Sequence, residues 1–331
     1  MDSRDRLVHT LSFKSDCPPP RYESEFAEEV IDAWRRQGAL DHRSPEEFFA
    51  LDFRESLGIV WRRTGADNRP LECEDDLETL RRAYDPGSPE RFPDGFEGRV
   101  RAWQDRDFAL FATPWNEGFL QVIGISDSDS LSRTLITLCE RPALAEAAME
   151  HYAGYVETML DRILPRVKMD YAVFYEPIAS NHAPVLSPSA YARFVQPALS
   201  RVVACLEKHG VGFRILWSAG AVHVLIPLWL DAGINGLYLN QAGSAGISYL
   251  GLRRQFGEKL LLFGGIDWRV VTAGPPAIDE FLEREVRPLL RTGGYVPYLD
   301  DTVRVHIPFE HFHYYRQRLD AIAGEVEDRN G

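Results

Sequence analysis

Residues 228–267 read LWLDAGINGLYLN (228–240), QAGSAGISYLG (241–251) and LRRQFGEKLLLFGGID (252–267). Two short apolar runs, NGLYLN (235–240) and KLLLFGG (259–265), flank a stretch that glycine closes at Gly257. Each run is strand-length and neither alternates strictly between apolar and polar. That is the pattern of a parallel strand buried on both faces. The intervening segment, 246–256, reads as a helix stopped by Gly257. Strand, helix, strand at this spacing is a βαβ unit, whose crossover is right-handed.

The same rhythm extends in both directions. DFALFAT (107–113), DYAVFY (170–175), GFRILW (212–217) and GYVPYLD (294–300) are further buried runs. Ser187-Pro188 offers an N-cap and a first-turn proline for a helix reaching about His209, where Gly210 stops it. Residues 221–232 end at Gly233, and a helix from about 276 to 291 ends before Gly293-Gly294. No G-x-G-x-x-G follows an early strand, so the dinucleotide fingerprint of an open doubly wound sheet is missing. The expectation is an α/β chain folded as a (β/α)8 TIM-type barrel, in one domain over 1–331. Residues 65–100, polar and rich in Asp, Pro and Gly, read as an excursion from it, with a small hairpin expected around LGIVWRR (57–63).

Composition narrows the function. A net charge of −13, from 37 basic and 50 acidic residues, leaves no general basic face for a phosphate backbone, so no nucleic-acid partner is expected. Cys17, Cys73, Cys139 and Cys205 are far apart and form no C-x-x-C, which suggests reduced thiols rather than a disulfide framework or zinc ribbon. The first residues carry no apolar signal core and no run is long enough to span a bilayer, so a cytoplasmic location without membrane contact is expected. A small-molecule substrate is the expected partner, with a homodimer as a further expectation.

Three segments carry a resemblance. LWLDAGINGLYLN with LRRQFGEKLLLFGGID, GGYVPYLDDTVRVHIPFEHFHYYRQRL (293–319) and APVLSPSAYARFVQPALSRVV (183–203) are similar to the strand, helix and GGID arrangement of the uroporphyrinogen decarboxylase superfamily. That superfamily also contains corrinoid-linked methyltransferases. The resemblance, over about residues 16–320, implies a TIM-type barrel with its site at the strand C-termini. Methyltransferase members carry zinc-binding His and Cys in an H-x-C-G where this chain reads Trp217-Ser218-Ala219-Gly220. No metal and no cofactor are therefore expected. The decarboxylase G-H-G corresponds to Leu299-Asp300-Asp301-Thr302, which puts Asp301 in the place of the histidine. The early R-Q-A-G-R-Y-x-P-E motif is reduced to Pro20-Arg21-Tyr22-Glu23-Ser24-Glu25, with Arg21 matching its second arginine.

The candidate catalytic residues are Glu176, after the run YAVFY, together with Asp301 and His306. A carboxylate at a barrel-strand end can serve in acid–base work once burial raises its pKa. Arg21 and Arg304 are expected to clamp substrate carboxylates. Trp217, Asn240, Gln241, Asp267 and Asp300 are the remaining expected substrate contacts, and they describe an aromatic, weakly charged pocket. His182 could reach it from its loop. His311 and His313 lie about 200° apart on a helix and cannot chelate one metal together. The function these point to is a cofactor-independent lyase decarboxylating a small or medium organic acid. The alternatives are a methyltransferase lacking the zinc site, which would need a corrinoid partner protein, and a non-catalytic ligand-binding barrel.

Overall fold

The computed structural model describes residues 1–65 and 69–325. Seven strands form one parallel sheet in sequence order: β1 Arg54–Ser56, β2 Ala109–Trp115, β3 Tyr171–Tyr175, β4 Phe213–Ala219, β5 Gly236–Asn240, β6 Leu261–Phe263 and β7 Tyr295–Val296. All six pairings are parallel, and helices lie between the strands. The sheet curls around a bore. Ala109, Tyr171, Ile215, Leu261, Phe263, Val296 and Tyr298 pack together inside it, while Leu110, Ala112, Ala172, Phe174, Leu216, Leu237 and Leu262 join the core that the helices cover.

The expected eight-stranded closed barrel is thus corrected to seven strands among the described residues. Residues 20–27 occupy the gap between β1 and β7 without forming a ladder. Asp52 N–H donates to the Arg21 carbonyl at 2.9 Å, Ala27 N–H to Val303 at 3.0 Å, and Val303 N–H to Glu25 at 2.8 Å. Pro18-Pro19-Pro20 lead into this segment without a donor among them. A side chain also intrudes where a ladder bond would run, since Leu299 N–H donates to Glu23 Oε1 at 2.9 Å.

Other differences are local. β1, only three residues long, lies just before the expected hairpin, and 57–63 forms no strand. The helix expected from Ser187 is two, Pro188–Phe194 and Gln196–Lys208, because Pro197 removes a backbone donor at the join. In the polar stretch 65–100, helices Glu74–Ala83 and Phe96–Ala102 are formed, and 66–68 lie outside the described residues. No described helix is long and apolar enough to cross a membrane.

The two ends of the bore differ. Helix Ser3–Leu11 plugs the end where strands begin, with Leu7 and Leu11 buried in the inner core and Gly294 N–H bonded to the Thr10 carbonyl at 2.8 Å. Phe13 follows, and a Cβ on Gly294 would lie 2.3 Å from its ring, so only glycine permits this closure. At the opposite end, the inward residues Phe111, Thr113, Val173, Tyr175, Trp217, Tyr238 and Asn240 all keep partial exposure. The mouth is at the strand C-termini.

Candidate active site

Side-chain direction alternates along a strand, and this decides which candidates reach the bore. Trp217 and Asn240 do. The Trp217 indole N–H donates to Asn240 Oδ1 at 3.1 Å, and its ring lies 5.4 Å from that of Tyr175. Gln241 follows in left-handed backbone conformation, φ 54°, and its amide donates to Asp301 Oδ2 at 3.0 Å. This bond ties the end of β5 to the loop after β7 across the mouth.

Asp300 lies just inside. Ile266 N–H bonds the Tyr298 carbonyl, and Asp300 N–H bonds the Ile266 carbonyl, so pairing with the chain after β6 continues to this point. Val296 and Tyr298 face inward, and the two-residue repeat carries Asp300 to the same side. Its Oδ1 accepts the Trp268 N–H at 3.3 Å. Burial, and then the charge of Asp267, push its carboxyl up to about 7. Asp267 itself caps the helix Trp268–Ala273 and is clamped by Arg269, with an Nη2–Oδ2 distance of 2.5 Å. It fixes the turn.

Glu176 is placed elsewhere than expected. Tyr175 faces the bore and Glu176, one residue on, faces the helical layer, fully buried. Its carboxylate accepts the Trp115 indole N–H at 2.9 Å and the Phe119 N–H at 3.0 Å, at the start of helix Phe119–Val122. Burial drives its carboxyl up to about 7 against the opposing pull of those two donors. The group holds the β2 loop onto β3. Arg21 is corrected in the same way: its guanidinium bonds Asp320 at 2.7 Å and the Phe49 carbonyl at 2.9 Å, while Tyr22 turns inward. Arg304 and His306 are exposed, the first 3.8 Å from Glu29, the second packed edge-on against Trp268. His182 is exposed, His311 bonds the Thr272 carbonyl, and His313 packs on Phe48 and Phe309.

One residue the sequence reading passed over lies in the bore. Arg54, from β1, places its guanidinium 4.7 Å from the Tyr22 ring centre and 5.7 Å from that of Tyr298. Tyr171, Tyr175 and Tyr238 also interact with it electrostatically. A three-residue strand with no apolar run gave no signal; only the ladder with β2 reveals its phase.

Two side-chain groups among the described residues could hold a metal ion, His9 with Asp16 and Cys17, and Asp161 with Cys205 and His209. Both lie at the plugged end, the first beside the helix that closes it and the second at the ends of helices that lead into strands. Neither serves the mouth. A cavity of about 220 Å³ opens behind the 264–268 turn between Tyr249, Phe281 and Leu289, and it does not include Trp217, Asn240 or Asp301.

A family model described as uroporphyrinogen decarboxylase (URO-D) matches residues 119–320, more than half of the chain. The chain belongs to the uroporphyrinogen decarboxylase family. Trp217, Asn240, Gln241, Asp300 and Asp301 fall within the matched residues, whereas Tyr22 and Arg54 precede them. No curated protein matches the chain. Among solved structures, the catalytic domain of a family GH18 chitinase from the fern Peteris ryukyuensis aligns at 10% identity and a TM-score of 0.35, covering 82% of this chain and 99% of that one. At that score the likeness carries no argument.

Proposed function

We propose that this family member is a cofactor-independent lyase that decarboxylates a small or medium organic acid at the mouth of the bore. Membership in a decarboxylase family supports the reaction class. The observation that carries the site is the pairing of Trp217 with Asn240 and of Gln241 with Asp301 at one partly open end, with Asp300 buried next to Asp301 in the chain. In the reaction the bond from carbon to the carboxylate breaks, carbon dioxide leaves, and the electron pair left on carbon takes a proton. Asp300 is the proposed donor, because a carboxyl raised to about 7 is still substantially protonated at neutral pH. Asp301, held by Gln241, positions the loop. This gives Asp300, expected from sequence as a substrate contact, the catalytic role expected of Asp301.

The test is carbon dioxide release from a panel of carboxylic acids, measured on wild type and Asp300→Asn. Asp300→Asn should lower turnover by about 10²–10⁴-fold, the usual contribution of a positioned acid. Wild-type activity should decline above pH 7 as Asp300 loses its proton. A panel without carbon dioxide release, or an Asp300→Asn variant at full rate, sinks the reading.

A further inference from the structure

We infer that Arg54 makes the bore an anion site that takes a small aromatic carboxylate. The inference rests on reading the mouth of the bore as the functional site and adds the chemistry of its occupant. It comes from comparing Arg54 with the other arginines of the interior. Arg91 donates to the carbonyls of Val60, Arg62, Ala83 and Asp85. Arg253 donates to those of Gly257, Leu260, Gly293 and Gly294. Arg106 has Asp170 and two carbonyls, and Arg316 has Glu23 and the Tyr22 carbonyl. In each, the terminal guanidinium nitrogens find protein acceptors, although the Nε of Arg106, Arg253 and Arg316 is left without one.

Arg54 differs. Its one described backbone acceptor is the Glu23 carbonyl, 3.4 Å from Nη2 and at the long limit of such a contact, and its other polar neighbours are the hydroxyls of Tyr171 and Tyr298. Among the described residues no carboxylate forms an ion pair with it. Tyrosine rings and hydroxyls surround it, and these attract a cation without neutralising it. A guanidinium carries its charge at every accessible pH and has five donors to place. The Tyr22 hydroxyl beside it is also buried without a hydrogen-bond partner. Two groups that need an acceptor therefore meet in the bore. A carboxylate supplies acceptor oxygens and the missing negative charge in one group.

The rest of the ligand follows from the walls. Above Arg54 the partly exposed rings of Phe111, Tyr175, Trp217 and Tyr238 line the way to the mouth. Flat faces favour a flat partner, stacked or edge-on, with its acid group directed down the bore.

The test is isothermal titration of the intact chain with 4-hydroxybenzoate, 4-hydroxybenzamide and hexanoate. We expect 4-hydroxybenzoate to bind in preference to its uncharged amide and to the aliphatic acid. Arg54→Met should weaken 4-hydroxybenzoate by about 10- to 100-fold, as expected for loss of a charge-assisted pair. Arg54→Lys should recover part of that loss, and circular dichroism should show both variants folded. Equal binding of 4-hydroxybenzoate by wild type and Arg54→Met overturns the inference, as does preference for the amide or absence of 4-hydroxybenzoate binding at millimolar concentration. Arg54-dependent binding without carbon dioxide release from any acid would leave the anion site standing and remove the decarboxylase reading alone.

Discussion

Arg316 and Arg54 lie on opposite sides of the same closing segment, and they show how differently the outer layer and the bore treat a charge. Arg316, on the last helix, is buried against Glu23 at 3.2 Å, with Tyr315 donating to the same carboxylate oxygen at 3.2 Å. Arg54 reaches Glu23 only through its carbonyl, on the other side of the chain, and otherwise meets rings. The outer layer spends its charges on structure. The bore keeps one charge that no carboxylate of the described residues neutralises.

The largest expected effect breaks this comparison directly. Arg316→Met leaves Glu23 buried without its cation and should destabilise the protein by about 3–5 kcal/mol. Arg54→Met leaves no partner uncompensated and should change stability by less than about 1 kcal/mol, or raise it. Urea unfolding of the two variants beside wild type makes the measurement. Equal losses would mean that Arg54 is a structural residue like the other.

Alternation explains which parts of the site could be read from sequence. The run YAVFY identified β3, and the carboxylate after it was the natural choice. The two-residue repeat, however, turns Tyr175 inward and Glu176 outward. The same one-residue difference separates Arg21, bonded to Asp320, from Tyr22 in the bore. A strand buried on both faces gives no polar stripe from which to read its phase, so position along the chain was legible and direction was not. The inward direction of Trp217 and Asn240 follows from the ladder of β4 and β5, which pair over five residues. The long buried runs gave the βαβ order, while β1 and the segment 20–27 were too short or too proline-bound to register as strands. Pairing with neighbours, not propensity, puts them in the wall.

A smaller effect sharpens the contrast through pH. Asp300 titrates near 7 in the folded chain and near 4 when unfolded. Between those values the folded state holds the proton and the unfolded state has lost it, so folding binds protons. Stability at this site is therefore fully present below about pH 4 and is lost as pH rises through 7. Glu176, also near 7, acts with the same sign from the outer layer. Asp267, Asp301 and Arg269 surround Asp300 and set its exact position on the curve. Asp300→Asn keeps an acceptor for the Trp268 N–H and removes the titration. Its unfolding free energy should fall less between pH 5 and 8 than that of wild type, by a difference of about 2–3 kcal/mol. Parallel curves for the two proteins would show that Asp300 is ionised in both states.

The smallest expected effect concerns Gln241, which the mouth holds in left-handed backbone conformation. A non-glycine residue at φ 54° costs on the order of 1 kcal/mol, and the hydrogen bond from its amide to Asp301 at 3.0 Å offsets a similar amount. Replacing Gln241 by glycine relieves the first and removes the second, so stability should stay within about 1 kcal/mol of wild type. Replacing it by alanine keeps the strained backbone and loses the bond, and should cost about 1–2 kcal/mol. Thermal melts of the pair separate the two terms. If the strain is retained for function, both variants should lose turnover to a similar extent although only one loses stability, because in each the tie to Asp301 is gone. A glycine variant that keeps full turnover would show that the bond across the mouth holds a loop and nothing that reacts.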